Sequence, residues 1–270
     1  MSNAGNGGPS PAQRWQTLET ERDGAILRVW LARPARRNAL DTTALEEIAA
    51  LFAGLQRDYA TRVVVLGGRG VSFCAGADRR SPPGRERMAV ASGAGGRERR
   101  QAAQIGLRAC RAIEECEVVT IARIHGHAVG GGLALALACD FRIAAEDTVF
   151  SIPEVDLGIP LGWGASARLV HEIGAARARE AILLCERFDA RRAEAWGALH
   201  RAVPAAELDA VVEDWARRLA AKPELAVHMT KTQLRAYALA ARLGDVTEND
   251  GDLLAAASRE EPARRAFPSE

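Results

Sequence analysis

Two hydrophobic periods alternate along the chain, and the places where one gives way to the other lay out the elements. Between Ala25 and Leu31 the apolar residues Ile26, Leu27, Val29 and Trp30 fit a strand, which Arg33-Pro34 ends. Thr43-Ala-Leu-Glu46 reads as a capping box, and Leu45, Ile48, Ala49, Phe52 and Leu55 follow at helical spacing. A helix is predicted over 42–60. Residues 63–66 are wholly apolar, as a strand buried on both faces would be, and Gly67-Gly-Arg-Gly70 breaks them. Residues 78–100 carry Pro82-Pro83, several Gly and many Arg with little apolar periodicity, predicting a mobile loop or lid. Order resumes with a helix over 101–115, a buried strand over 118–124, a glycine-rich turn over 126–132 and an apolar helix over 133–139. Short strands over 141–144 and 149–152 follow. Beyond Trp163 the pattern is helical, over 165–173, 175–185, 190–196, 205–221, 223–243 and 247–258. The layout is α/β: a repeated strand–turn–helix part followed by a helical C-terminal third.

Composition narrows the partners. The 270 residues carry a net charge of +1, which gives no global attraction to nucleic acid or an anionic membrane. Five cysteines form no Cys-x-x-Cys pair and no His-containing ligand spacing, so neither a metal site nor a disulfide framework is expected, and a reducing, cytoplasmic setting is. The start of the chain is Gly/Asn/Ser/Pro-rich and reads as a disordered leader over 1–14. No apolar run approaches the length of a membrane span.

The candidate chemistry lies in two turns of one design. In Phe73-Cys-Ala-Gly-Ala-Asp78 and Gly126-His-Ala-Val-Gly-Gly-Gly132 a buried strand runs into small residues, and the second turn opens a helix. Small residues admit a ligand close to the backbone, and a helix N-terminus directs free N–H groups at it. Two such turns converging would offer two amide donors to one oxygen, an oxyanion hole. A phosphate-binding P-loop is excluded, because the chain has no Gly-Lys dipeptide; the glycine spacing also departs from the dinucleotide-binding fingerprint. Tight strand–helix packing alone remains the plain alternative.

The run from Ile124 to Asp140 (Ile-His-Gly-His-Ala-Val-Gly-Gly-Gly-Leu-Ala-Leu-Ala-Leu-Ala-Cys-Asp) resembles the signature of the crotonase (enoyl-CoA hydratase/isomerase) superfamily. So do Arg33-Pro34 with Asn38-Ala-Leu40, Phe73-Cys-Ala-Gly-Ala-Asp78, and Ile152-Pro-Glu-Val-Asp-Leu-Gly-Ile-Pro160. The four are co-linear, and the resemblance extends over about 15–267. It implies a crotonase-like spiral of repeated ββα units, a core over 15–200, and a helical trimerisation region over 201–270 that makes a homotrimer or homohexamer.

The resemblance also assigns roles. The oxyanion donors fall on the amides of Ala77 and Gly131, and the substrate is an acyl-CoA thioester. Coenzyme A enters as part of that substrate, so no separate cofactor is expected. Contacts to it are implied for Arg36, Arg37, Ala75, Asp78 and Arg79, and Phe267 matches an aromatic that reaches a neighbouring subunit's coenzyme A site. Related hydratases carry two glutamates. One matches Glu154; the position of the other holds Ala134. Adding water engages two acid–base groups, whereas moving a double bond needs one base that takes a proton and returns it. Isomerase and weak hydratase both stay open, as does an acyl-CoA-binding member with little catalysis. On this reading, restoring glutamate at 134 is expected to raise hydration. Asp156 is a second candidate base if the strand before Glu154 continues. His125, His127 and Asp140 read as structural. Trp163 stands where the family usually has small residues, and its indole would narrow the acyl pocket or pack behind it.

Overall fold

The structure, a computed structural model, describes residues 14–88, 93–241 and 247–267. Its main sheet has six strands in the order β1-β2-β3-β4-β6-β9. The antiparallel pair β1 (Leu18–Asp23) and β2 (Ile26–Leu31) stands at one edge. Then β3 (Val63–Gly68), β4 (Val119–Ile124), β6 (Phe141–Ala145) and β9 (Arg201–Val203) follow, each parallel to its neighbour. A second sheet of three short strands is built from β5 (His127–Val129), β7 (Val149–Ser151) and β8 (Phe188–Asp189).

Side-chain alternation divides the apolar residues of the main sheet between two cores. Leu27, Val29, Val64 and Leu66 join the larger core, against α1 (Thr42–Gly54) and the helices that follow β3. Ile26, Val63, Val65, Ile121 and Ile143 point the other way, onto Leu208, Val212 and Ala216 of α8 (Leu208–Ala220). A sheet covered on both faces explains why β3 is buried along its whole length.

Several expectations are corrected. β1 carries the sequence Leu-Glu-Thr-Glu-Arg-Asp; only Leu18 is buried, so it has no apolar alternation to betray it. The cap of α1 is Asp41, whose carboxylate accepts the Ala44 amide at 2.9 Å, not the Thr43–Glu46 pair. Residues 78–100 are not one structureless loop: α2 (Arg85–Met88) and α3 (Gly96–Ala103) form there, with 89–92 outside the described residues. The next helix, α4, spans Ile105–Glu115. The leader expected over 1–14 falls outside the description except for Arg14.

The glycine-rich turn contains β5 before α5 (Gly131–Ala138) begins, and α6 (Ala165–Leu183) is broken at Gly174, between the two helices expected there. α7 (Ala190–Trp196) precedes β9, which adds residues beyond position 200 to the core sheet. α9 (Glu224–Ala241), α10 (Asp250–Ala257) and α11 (Glu261–Ala266) complete the chain. α10 and α11 fold back on their own chain. Arg100 pairs with Asp252, Arg111 with Glu248, and Asp250 accepts the Gly164 amide at 2.7 Å.

Candidate active site

The first turn is assembled around Asn38, which is buried in a left-handed conformation (φ 56°). Its side chain accepts the Arg33 amide and donates to the carbonyls of Arg69 and Ser72. Residues 37–40 then run beside the turn. The Ala75 amide donates to Arg37, Leu40 to Gly76, and Asp78 to Leu40. Two further hydrogen bonds lock this turn to the second: Cys74 N–H to the His127 carbonyl (3.0 Å), and Val129 N–H to the Cys74 carbonyl (3.0 Å).

The glycines are there for close approach. A Cβ on Gly76, whose φ is +87°, would lie 2.7 Å from the Val129 oxygen and 3.6 Å from the Gly131 nitrogen. One on Gly132 would meet the Cys74 carbonyl at 2.6 Å. The two turns therefore touch at main-chain level, with Ala77 and Gly131 at the junction. Among the described residues the amides of Ala77 and Gly131 have no protein acceptor. Gly131 is the first residue of α5, where helix geometry leaves its N–H without an intrahelical partner. Two free donors at touching turns are what a developing oxyanion requires.

Glu154 lies directly beside them. Strand β7 ends at Ser151, which accepts the Gly130 amide at 2.9 Å, and a turn closed by the amides of Leu157 and Ile159 onto the Glu154 carbonyl aims the side chain back. A Cβ on Gly130 would fall 2.1 Å from Oε1, so the carboxylate rests on that glycine's α-carbon. Oε2 is buried and has no hydrogen-bond partner among the described residues. Burial pushes the Glu154 carboxyl up to about 7, against the opposing pull of its own backbone N–H. A carboxyl poised there can both accept and return a proton near neutrality. Asp156 is exposed, because the strand does not continue and the turn directs it outward.

The remaining candidates divide into exposed cations and structural groups. Arg36, Arg37 and Arg79 are exposed, Ala75 is partly so, and all flank the first turn. Asp78 is buried. Burial works to raise its pKa, but the amides of Arg80 and Ser81 and the Arg33 guanidinium (3.1 Å) outweigh that and hold it below the ordinary carboxylate value. Asp78 thus clamps the turn to Arg33. Arg79 donates to the Ala266 carbonyl and lies 6.0 Å from the Phe267 ring, which places that ring at its own chain's first turn. α11 is held there because Pro262 and Ala263 pack on Gly158. His125 bonds Arg123 and the Gly70 carbonyl, His127 bonds Ser72, and Asp140 accepts from Thr120 and Lys231. All three side chains are engaged by partners within the fold. Cys74 is no nucleophile: full burial pushes its thiol up to about 12. In the sequence Arg33 and Asn38 stand only as letters of a motif. The signal for their role is an Asn able to adopt the left-handed region and bond locally.

The chain is similar to known proteins in both sequence and fold. The family model described as enoyl-CoA hydratase/isomerase matches residues 21–266. The crotonyl-CoA hydratase of Syntrophomonas wolfei is 32% identical over 80% of each chain. The peroxisomal Delta(3,5)-Delta(2,4)-dienoyl-CoA isomerase of Arabidopsis thaliana is 33% identical over 82% of each. A putative enoyl-CoA hydratase from Streptomyces avermitilis superposes with a TM-score of 0.82 at 30% identity, covering 95% of this chain and 90% of that one.

Proposed function

Since the chain belongs to the enoyl-CoA hydratase/isomerase family of the crotonase superfamily, and is an enzyme of that type acting on enoyl-CoA thioesters, we propose that it is an isomerase working with two backbone amides and one carboxylate. The thioester oxygen accepts the amides of Ala77 and Gly131. Glu154 removes the α-proton of a 3-enoyl-CoA, and the electron pair moves into the carbonyl to give an enolate held by the two donors. The double bond re-forms between the α- and β-carbons as Glu154 returns the proton to the γ-carbon. Nothing is added or lost.

The observation that carries this reading is the Glu154 carboxylate resting beside the Gly130–Gly131 peptide with its Oε2 buried and unpartnered. Arg36, Arg37 and Arg79 offer guanidinium groups to the coenzyme A phosphates, while Ala75 and Asp78 shape the backbone beneath. A second reading, an acyl-CoA-binding member with weak catalysis, is favoured by the apolar Ala134, which is 1% exposed.

Parallel assays with a 3-enoyl-CoA and with crotonyl-CoA, beside a binding measurement, separate the two. Isomerisation should dominate. Its kcat/KM should rise about tenfold per pH unit up to about 7 and then level off, because only the ionised Glu154 is a base and burial has raised its pKa. Tight binding without turnover at any pH would select the binding-protein reading.

Among the described residues no helix is long and apolar enough to cross a membrane, and no group of His, Cys, Asp and Glu is placed to hold a metal ion. A cytoplasmic location is proposed with this. Helix α9 exposes Leu225 (71%), Met229, Leu234 and Tyr237 (71%), large apolar side chains that an assembly could cover. A homotrimer or homohexamer would cover them, and sedimentation at micromolar concentration should find no monomer.

A further inference from the structure

Trp163 sits between the two helices that border the reacting centre. A Cβ on Gly106 of α4 would come within 2.1 Å of its Cε2, and one on Gly131 of α5 within 2.2 Å of its Cζ3. The indole therefore fills a slot made by two missing side chains, its face over Gly106 and its six-membered ring on the α-carbon of the oxyanion glycine. Glu154 occupies the equivalent place on Gly130. Consecutive α-carbons are about 3.8 Å apart, so carboxylate and indole flank the same peptide.

The slot has a second neighbour. Ala134 lies three residues beyond Gly131, on the same helix face, and helical side chains lean toward the N-terminus. A longer side chain at 134 would reach back over Gly131, the place the ring already fills. The backbone is bent to put it there. Trp163 has a φ of 60°, unusual for so large a residue, and Gly164 follows at 71°. The Trp163 carbonyl accepts Arg168 Nη1 at 2.9 Å, and the Gly164 amide is held by Asp250.

We propose that Trp163 commits this site to proton transfer, its indole occupying the volume from which a second acid and its water would act, so that the enzyme shifts double bonds and rejects water as a co-substrate. This rests on the oxyanion-hole and Glu154 reading above. It also changes the expected outcome at position 134: glutamate alone meets the ring instead of substrate, and hydration returns only when the ring is removed as well.

The experiment compares wild type, A134E, W163G, W163F and the A134E/W163G double variant, each assayed for crotonyl-CoA hydration and 3-enoyl-CoA isomerisation across pH. The double variant should hydrate about 10²-fold faster than A134E, the contribution of one general acid–base group, and W163F, whose ring stops short of Gly131, should move the pH profile in the same direction as W163G but by less. W163G should lower the pH at which kcat/KM levels off, as water reaches Glu154, a change that loss of packing alone does not produce. A134E hydrating as fast as the double variant would overturn the proposal. So would a double variant that isomerises normally yet hydrates no faster than A134E. If variants bearing A134E do not fold, the W163G pH profile decides: an unmoved profile overturns it, a lowered one sustains it. Wild type that neither isomerises nor exchanges substrate protons is a different outcome; it removes the Glu154 mechanism and this inference with it.

Discussion

Replacing Glu154 with Gln should lower isomerase turnover by about 10²–10⁴-fold while leaving acyl-CoA affinity nearly unchanged. The amide keeps the size and planarity of the carboxylate, so its rest on Gly130 is preserved. What disappears is the base. In the proposed mechanism affinity is set elsewhere, by the Ala77 and Gly131 amides and the exposed Arg36, Arg37 and Arg79. Exchange of the substrate α- and γ-protons with deuterated solvent should collapse in parallel with turnover. An undiminished rate in E154Q would place the base on another residue. Asp156 is a poor substitute because it faces solvent beyond the turn.

The second large effect is expected from Gly76→Ala. Backbone donors cannot be deleted by changing their own side chains, but they can be displaced. A methyl at position 76 would lie 2.7 Å from the Val129 oxygen, at a φ of +87° that side chains rarely adopt. Relief means moving one turn away from the other, and with it either the Ala77 or the Gly131 amide. Loss of one oxyanion donor typically costs about 10²–10³ in kcat. Turnover should fall by that much, while far-UV circular dichroism is retained and coenzyme A without an acyl group still binds. Full activity in G76A would mean that the two turns do not act on one oxygen.

What could be read from the chain depended on whether the physics was local. Buried parallel strands such as Val63–Gly68 announce themselves as unbroken apolar runs, and the Gly126–Gly132 turn is visible because glycine has few other reasons to cluster. The edge strand Leu18–Asp23 is polar at five of six positions and is made a strand by its partner Ile26–Leu31 alone. Likewise α1 takes its cap from Asp41, one residue before the helix, though Thr43 and Glu46 have the better local pattern.

At the site, the two turns and Glu154 were legible, since small residues and an acid in an apolar stretch are local signals. The fate of Trp163 was not. Its neighbours Gly106 and Gly131 come from helices far apart in sequence, and only their packing shows the ring entering the slot. For the same reason the coenzyme A contact that the resemblance implies for Asp78 gives no sign that its carboxylate is occupied by Arg33 and two amides.

Making the oxygen clamp from main chain has an evolutionary corollary. A change of side chain at Ala77 leaves its donor atom in the main chain, while a step away from glycine at 76, 130, 131 or 132 collides at once with a neighbour. On the proposed mechanism carbonyl activation rests on few positions, and those proposed to choose its outcome, 134, 154 and 163, are ordinary side chains open to exchange one at a time. A scaffold divided in this way can trade one reaction for another without passing through an ancestor that has lost its grip on the thioester.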